Sequence, residues 1–373
     1  MKKSLLIMKI IVFVLLFFSL NTVLNAQNTL KDAYQKHFLI GAAINSNQFN
    51  ERDKNAAELV KKHFNSITAE NVMKWERIHP LNGKFDFAEA DKFVEFGQKN
   101  GLTIIGHTLI WHNQTPKWVF EDEKGNTVSR DELLKRMREH IFAVVGRYKG
   151  KVKGWDVVNE ALNDDGSLRQ SPWLKIIGED YIAKAFQFAR EADENAELYY
   201  NDYSLENEAK RNGAINLVKK LQSQKIKVTG IGTQGHWSLE FPTIDQIDKT
   251  LTEFSKLGKV MITELDIDVL PTPNGFSGAE ISVNFELQEK LNPYKNGLPK
   301  EIQEKQAKRY KEIFDVFMKH KKSVSRVTFW GVTDGGSWKN NFPVRGRTNY
   351  PLLFDREGKE KSAFFSVIQN ANK

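Results

Sequence analysis

The segments KGWDVVNEAL (residues 153–162) and KVMITELDID (residues 259–268) are the most informative about the fold of this 373-residue chain. Each is an apolar run that ends in acidic residues: Glu160 in the first, Glu264 and Asp266 in the second. A strand buried on both faces reads as a nearly continuous Val/Ile run, which is typical of parallel sheets covered by helices. Acids at the carboxyl ends of such strands project into the mouth of the fold, where proteins of this class place their chemistry.

Short apolar runs alternate with longer amphipathic ones along the rest of the chain. We predict eight strands, at residues 38–44, 66–69, 102–107, 152–159, 197–201, 230–234, 260–264 and 327–330. Helical patterns fill the gaps, for example where Phe87, Ala90, Phe93 and Val94 share one face. Eight strand-helix units without a break in composition favour an α/β fold with a single (β/α)8 barrel, or TIM barrel, over residues 27–373. A doubly wound open sheet is the alternative.

The first 26 residues resemble an export signal. Three lysines precede an apolar run from Ile10 to Leu20, and a small residue follows at Ala26. The apolar run is too short to span a bilayer comfortably. We therefore expect residues 1–26 to be removed and the protein to be exported, as an extracellular or periplasmic protein. The alternative is a membrane anchor that stays uncleaved.

Charge and cysteine content limit the possible partners. The net charge of +8 falls to +5 once the three lysines of the signal are removed, and the other lysines alternate with acids on predicted helices. That pattern is typical of a solvated surface, so we expect no nucleic-acid partner and no stable membrane association after signal removal. The chain has no cysteine, which excludes disulfides, thiolate metal sites and thiol nucleophiles. We expect a monomer.

Polar and aromatic side chains also follow the other predicted strands. They occur in the segments TAENVMKW (68–75), GHTLIWH (106–112), YYNDY (199–203), GTQGHW (232–237) and FWGVTDGGSW (329–338). Amides, imidazoles, a lysine and indoles that converge on two carboxylates form a site for a neutral, hydroxyl-rich ligand. Sugars have this character, because their hydroxyls bond to amides and imidazoles while their C–H faces pack on indole rings.

Two other kinds of site are less consistent with the pattern. His107, His112 and His236 are possible zinc ligands, but no H-x-H or H-E-x-x-H spacing accompanies them, so we expect no metal. The run GIGTQG (230–235) formally matches the dinucleotide fingerprint, yet it lies in a predicted strand and no helix follows it directly. We therefore expect no cofactor.

Two glutamates at the ends of different strands suit a reaction that needs a proton donor and an anion on either side of one bond. Glycoside cleavage is such a reaction. A single Glu at a strand end is as readily a salt-bridge partner or a helix cap. The occurrence of both motifs in one chain is what favours catalysis.

These segments, together with GWDVVNE, ITELDI and PVRGRTNYPLLFD (343–355), resemble those of glycoside hydrolase family 10 endo-β-1,4-xylanases over nearly the whole mature chain. The resemblance implies a TIM barrel that hydrolyses the β-1,4 bonds of xylan or xylo-oligosaccharides with retention. It places the general acid/base, Glu160, at the tip of strand four and the nucleophile, Glu264, at the tip of strand seven. Double displacement calls for carboxyl groups about 5 to 5.5 Å apart, so that the charge of Glu264 raises the pKa of Glu160.

The neighbouring residues take roles by the same logic. His236 and Asp266 are expected to hold Glu264 ionised and oriented, while Asn159 and Gln234 are expected to bind the 2-hydroxyl. The other expected substrate-binding residues are Glu70, Asn71, Lys74, His107 and Trp111 on the glycone side, Trp330 and Trp338 above them, and Tyr203 near the leaving group. For Trp330, packing in the barrel interior is the alternative.

Two further functions stay open. One is a retaining barrel hydrolase of another β-glycan, such as a glucan or a mannan. The other is a non-hydrolytic xylan-binding protein on the same scaffold, because a fold does not determine a function.

Several predictions concern residues outside this constellation. The stretch from Leu270 to Pro299 is rich in Pro, Gly and Asn, and we predict a loop at the active face. Asp156 and Asp268 are expected to be structural. The histidines expected at the surface, without partners, are His63, His79, His140 and His320.

Overall fold

The computed structural model describes residues 29–274, 276 and 278–371. The predicted export signal, residues 1–26, lies outside this part of the chain. The strands are β1 Leu39–Ile44, β2 Ser66–Ala69, β3 Thr103–Ile110, β4 Gly154–Asn159, β5 Glu197–Asp202, β6 Gly230–Thr233, β7 His236–Ser238, β8 Lys259–Asp268 and β9 Val324–Phe329. The α-helices are α1 Leu30–Tyr34, α2 Ser46–Phe49, α3 Lys54–His63, α4 Trp75–Ile78, α5 Ala88–Lys99, α6 Arg130–Arg147, α7 Pro172–Ile177, α8 Tyr181–Ala192, α9 Glu208–Ser223, α10 Ile244–Phe254, α11 Lys300–Lys319 and α12 Ser362–Asn370.

Eight parallel strands close into a barrel. The sheet runs in the order β6, β5, β4, β3, β2, β1, β9, β8, and β6 also pairs with β8, which joins the two ends. The predicted (β/α)8 barrel is therefore confirmed, and the open doubly wound sheet is excluded. Because all eight strands are parallel, their carboxyl ends meet at one mouth.

Each strand is apolar because both of its faces are covered. All residues of β4 are buried, and so are the eight residues of β8 between Val260 and Ile267. The helices contribute one apolar face each; on α5 this face includes Ala90, Phe93 and Val94, as the periodicity predicted. In the part of the chain that the structure describes, no helix is long and apolar enough to cross a membrane.

The strand predictions were closest at β2 and less accurate at the ends of β3 and β8. β8 continues four residues past its predicted end at Glu264, because the short strand β7, which we did not predict, pairs with its last part. In that pairing His236 lies opposite Asp266. The extension is set by a neighbour in space and has no local sequence signal.

The prediction that His63, His79 and His140 lie at the surface was wrong. All three are buried, and none has a hydrogen-bond partner for its ring nitrogens among the residues described. They pack as neutral aromatic rings: His140 stacks on Trp75 with 3.7 Å between ring centroids, and His63 lies 5.0 Å from the ring of Phe354. Burial lowers the pKa of His63 and of His79 to about 4.

The fourth histidine and the two aspartates have defined partners. His320 is half-buried and its Nε2 lies 2.7 Å from Asp248, so it is not unpartnered as expected. Asp156 bonds to His107 Nδ1 at 3.0 Å. Asp268 accepts a bond of 2.8 Å from the Asn349 amide, which agrees with the structural role predicted for both aspartates.

Candidate active site

A cavity of about 210 Å³ opens at the carboxyl ends of the barrel strands. It is lined by Glu70, Asn71, Lys74, His107, Trp111, Gln114, Asn159, Glu160, Gln234, His236, Glu264, Ala279, Ile281, Trp330 and Trp338. The barrel thus brings twelve of the fourteen predicted site residues into one wall. The two others, Asp266 and Tyr203, do not line the cavity.

Glu160 directly follows β4, in a backbone conformation that few non-glycine residues adopt. Its φ angle is 56° and its amide donates to the carbonyl oxygen of Asn201 at 2.9 Å. Such a conformation occurs most often where the surrounding structure imposes it at a functional position. The chain turns out of the strand here, and the carboxyl group enters the cavity.

Three donors hold the Glu160 carboxyl group. The Trp111 indole donates to Oε2 at 2.8 Å, and the amides of Gln234 and Asn159 donate to Oε1 at 2.9 and 3.2 Å. Burial nevertheless raises the pKa of Glu160, and the charge of Asp202 adds to the rise. The main cause of the raised pKa is therefore burial and not, as the sequence predicts, the charge of Glu264.

Glu264 has the opposite tendency. Burial opposes its ionisation, but a hydrogen bond from His236, the nearby His107 and the amide of Asn201 outweigh burial and lower the pKa of Glu264. Asn201 donates to Oε1 at 2.8 Å, and His236 Nε2 lies 3.1 Å from Oε2. The environments of the two carboxyl groups therefore change their pKa values in opposite directions.

His236 lies between two carboxylates. Its Nδ1 is 2.9 Å from Asp266 Oδ2, and its side chain is only 3% exposed. Burial opposes protonation, but Asp266 and Glu264 outweigh it and raise the pKa of His236 to about 9. Asp266 also accepts a bond of 2.7 Å from the Trp338 indole. Near neutral pH the ring is therefore protonated on both nitrogens, with Nδ1–H facing Asp266 and Nε2–H facing Glu264.

A chain of side-chain amides connects the two glutamates. Asn201 Nδ2 donates both to Glu264 and to Asn159 Oδ1, the latter at 2.9 Å, while Asn159 donates in turn to Glu160. The hydroxyl of Thr263 donates to Asn201 Oδ1 at 2.6 Å and sets the orientation of that amide. The sequence predicts Asn201 at the end of a strand but indicates no role for it.

In another part of the wall, polar groups surround a buried ammonium. Lys74 Nζ lies 3.1 Å from Asn71 Oδ1 and 2.8 Å from Gln114 Oε1. Glu70 accepts a bond of 3.0 Å from the amide of Asn45. Burial lowers the pKa of Lys74, although the negative charges of Glu264 and Glu70 act to raise it. Gln114 was not predicted; it follows GHTLIWH by two residues in a loop that shows no periodic pattern.

Aromatic rings form another part of the wall. Trp330 lines the cavity, and its ring centroid lies 5.3 Å from that of His107. It is also 92% buried against the barrel, so the packing and the cavity-facing interpretations both hold. Trp338 stacks on Phe342 with 4.5 Å between centroids.

The β8–α11 loop, residues 269–299, reaches this cavity through Ala279 and Ile281, in agreement with its predicted position at the active face. Tyr203 does not line the cavity, and its hydroxyl accepts a bond of 2.9 Å from Arg169. Arg169 also pairs with Glu280 at 2.7 Å. Sequence reasoning missed Arg169 and Glu280, because only the fold brings them together.

Comparisons with known proteins agree with this geometry. Residues 29–370 match the family described as "Glycosyl hydrolase family 10". The chain is 46% identical over 344 residues to the endo-1,4-beta-xylanase A of Xylanibacter ruminicola, covering 92% of this chain and 93% of that protein.

Two solved structures have the same fold. A GH10 endoxylanase retrieved from a sugarcane soil metagenome superimposes with a TM-score of 0.88 at 46% identity, covering 91% of this chain and 99% of the other. Xylanase XynB of Paenibacillus barcinonensis, in complex with a conduramine derivative, gives 0.82 at 41% identity, covering 91% and 98%. The chain therefore belongs to glycosyl hydrolase family 10.

Proposed function

We propose that the protein is an endo-1,4-β-xylanase that hydrolyses the β-1,4-xylosidic bonds of xylan with retention of anomeric configuration. The observation that carries the proposal is the pair of carboxyl groups in one cavity whose environments change their pKa values in opposite directions. Such a pair supplies an acid and an anion at the same pH. The xylan specificity is supported by family membership and by the xylanases that the chain resembles at 41 to 46% identity.

In the first half of the reaction, protonated Glu160 donates its proton to the glycosidic oxygen. The carboxylate of Glu264 attacks the anomeric carbon as the bond to that oxygen breaks, and a covalent glycosyl ester forms. His236 favours the ionised form of Glu264, and the Asn201 amide holds the attacking carboxylate in place. The leaving sugar departs with the proton that Glu160 supplied.

In the second half, Glu160 acts as a base. It takes a proton from a water molecule, whose oxygen attacks the anomeric carbon and releases Glu264 as a carboxylate. Esterification removes the negative charge of Glu264 during this step, which favours the ionised form of Glu160. Two inversions at one carbon give net retention.

The other wall residues are proposed to bind hydroxyls and sugar faces. Asn159 and Gln234 lie beside Glu160, in reach of a 2-hydroxyl. Lys74, Asn71 and Glu70 offer charged and amide groups on the glycone side. The remaining proposed contacts are His107, Trp111, Trp330 and Trp338 in the wall, and Tyr203 toward the leaving group.

Paired substitutions test the two roles. Glu264→Ala is expected to reduce turnover of every substrate to background, because no covalent ester forms. Glu160→Ala is expected to lose about 10²- to 10⁴-fold in kcat/KM on xylo-oligosaccharides but little in kcat/KM on aryl glycosides with an acidic phenol leaving group, which needs no proton in the first half of the reaction. Its kcat on those aryl glycosides is expected to fall, because the second half lacks its base. Equal losses by both variants on such aryl glycosides would contradict the assignment.

Proton NMR of xylo-oligosaccharide hydrolysis tests linkage and stereochemistry. The first-formed product is expected to be the β anomer, with cleavage at internal bonds. Parallel measurements of reducing sugar released from xylan, glucan and mannan test the specificity. An α product, release mainly from another glycan, or tight xylan binding without any product would each overturn the proposal.

We also propose that the catalytic domain spans residues 27–373, that residues 1–26 are removed on export, and that the mature protein is a monomer. Amino-terminal sequencing of protein recovered from outside the cytoplasm tests the first two statements. A mature chain that retains Met1 would contradict them. Light scattering tests the third, and a mass twice that of one chain would contradict it.

A further inference from the structure

Glu280 connects loops from opposite sides of the barrel mouth. It lies in the β8–α11 loop, while His112 and Asn113 follow β3. In the closed sheet, β3 and β8 are separated by four steps in either direction, so they face each other across the barrel. A contact between their loops must therefore cross the mouth.

The contact is built from several hydrogen bonds. Oε2 of Glu280 lies 2.7 Å from Arg169 Nη1 and 3.3 Å from His112 Nε2, and Oε1 lies 3.1 Å from the amide nitrogen of Asn113. Ser282 donates to Oε1 from its hydroxyl at 2.9 Å. We refer to Glu280 and these four partners as the Glu280 bridge.

The bridge lies beside the leaving-group side of the proposed dyad. Arg169 donates to the carbonyl oxygen of Glu160 at 3.1 Å and to the hydroxyl of Tyr203. Gly278, two residues before Glu280, packs so closely that an added Cβ would lie 2.8 Å from the Tyr203 ring. The residues on either side of Glu280, Ala279 and Ile281, line the catalytic cavity. The bridge thus covers the space next to the acid/base.

The Glu280 carboxylate is committed to protein partners on both oxygens. Its side chain is 20% exposed and that of Arg169 is 18% exposed, so the pair is largely removed from water. A partly buried ion pair with these additional bonds resists opening more than an exposed one does. A carboxylate bonded in this way does not offer its oxygens to a sugar unless the bridge first opens.

We propose that Glu280 determines substrate length preference: the bridge closes the leaving-group side of the free enzyme and has to open before a xylan chain occupies both sides of the scissile bond. This inference rests on the proposed xylanase function. Only the open form admits the longer chain. The apparent affinity for that chain is therefore the affinity of the open form multiplied by the fraction of enzyme that is open. A substrate that carries only a small leaving group on its anomeric carbon does not reach the Glu280 bridge.

Two substrates distinguish binding on both sides of the scissile bond from binding on one side only. Xylohexaose extends to both sides of the cleaved bond, whereas β-xylobiosyl fluoride has only a fluoride ion as its leaving group. For Glu280→Ala we expect KM for xylohexaose to fall about 3- to 10-fold, because closure no longer competes with binding. For the fluoride we expect kcat/KM to stay within about twofold of the unchanged protein. Glu280→Gln keeps the shape of the side chain but loses the ion pair. Its KM for xylohexaose is expected to lie between those of Glu280→Ala and the unchanged protein.

Glu197→Gln is the matched control. Glu197 is 15% exposed and bonded to Lys259 at 2.8 Å, but it begins β5 at the opposite end of the barrel. This control substitution should change neither the KM for xylohexaose nor the kcat/KM for β-xylobiosyl fluoride. Thermal unfolding of each variant checks that the fold is kept. An unchanged or increased KM of Glu280→Ala for xylohexaose would overturn the proposal, whereas no turnover of either substrate by the unchanged protein would refute the xylanase function instead.

A reversible crosslink provides a second, independent test. Asn113 and Ser282 both contact Oε1 of Glu280, so their side chains lie within the reach of a short bis-methanethiosulfonate reagent. Because the chain has no cysteine, Asn113→Cys with Ser282→Cys supplies the only two thiols. Crosslinking should abolish xylohexaose cleavage, spare the fluoride and be reversed by reduction. Retained xylohexaose cleavage in the crosslinked protein, or equal loss of both activities, would contradict the inference.

Discussion

The Nδ1 atom of His236 lies 2.9 Å from Oδ2 of Asp266, and the other ring nitrogen faces Glu264. Asp266 thereby raises the pKa of a histidine that in turn lowers the pKa of the proposed nucleophile. The charge of Asp266 thus affects the ionisation of Glu264 through His236, which contacts both carboxyl groups. This relationship makes the ionisation of Glu264 depend on a residue that does not line the cavity.

Asp266→Asn is expected to move the acidic limb of the pH profile of kcat/KM to higher pH, by about one unit or more. Without the Asp266 charge, His236 loses its proton more readily, so the pKa of Glu264 rises and the nucleophile is protonated at a higher pH. The measurement is kcat/KM on an aryl xyloside from pH 3 to pH 9. Asp248→Asn, which removes the partner of His320 away from the cavity, is the control and should leave the profile unchanged. An unmoved acidic limb in Asp266→Asn would contradict this coupling.

Trp111→Phe is expected to move the basic limb of the same profile to higher pH, by about one unit. The indole donates to Glu160 at 2.8 Å and stabilises its ionised form, so its loss raises the pKa of Glu160 further. The acid then stays protonated to a higher pH, although turnover falls because the carboxyl group is held less firmly. Trp118→Phe, whose indole donates to the Pro80 carbonyl oxygen, is the control. A shift to lower pH would disprove this role of Trp111.

Gly232→Ala is expected to lower kcat about 10- to 100-fold and to destabilise the fold by about 1–3 kcal/mol. A Cβ at Gly232 would lie 2.6 Å from Asn201 Oδ1 and from a methyl carbon of Thr263, so the amide that holds Glu264 has to move. Gly146→Ala in α6 is the control, because nothing lies within 4 Å of its added Cβ and alanine favours the helix by about 0.5–1 kcal/mol. Thermal unfolding and steady-state kinetics measure both effects. Full activity in Gly232→Ala would show that the position of Asn201 is not critical.

Acid is expected to destabilise the protein through its buried histidines. The pKa of His63 and of His79 is about 4 in the folded state, below the ordinary value of 6.5. A group whose folded pKa is lowered supplies stability that is present above pH 6.5 and is lost as the pH falls toward 4. We expect His63→Phe to reduce the fall in Tm between pH 7 and pH 4.5, by roughly 2–4 °C. An unchanged fall would show that His63 does not contribute.

The barrel could be predicted correctly from the sequence because the signals for its strands are local. Each strand that is covered on both faces must be apolar along its length, so segments such as GWDVVN are recognisable without their neighbours. The parallel arrangement then places Glu160 and Glu264 at one mouth, since the position of an acid at the end of a strand is a property of the sequence. The twelve predicted residues that line the cavity follow from the same reasoning.

Other features depend on which segments meet in space. The strand β7 forms because the end of β8 lies beside it, and Asn201 gains its role from Glu264 and Asn159, to which its amide donates. His140 has no signal that distinguishes a surface imidazole from one stacked on Trp75. The sequence by itself determined the barrel and the residues at its mouth, because apolar periodicity and strand ends are local. The tertiary structure alone decided the amide chain, the Glu280 bridge and the buried histidines, because each depends on groups far apart in the chain whose burial and separation only folding sets.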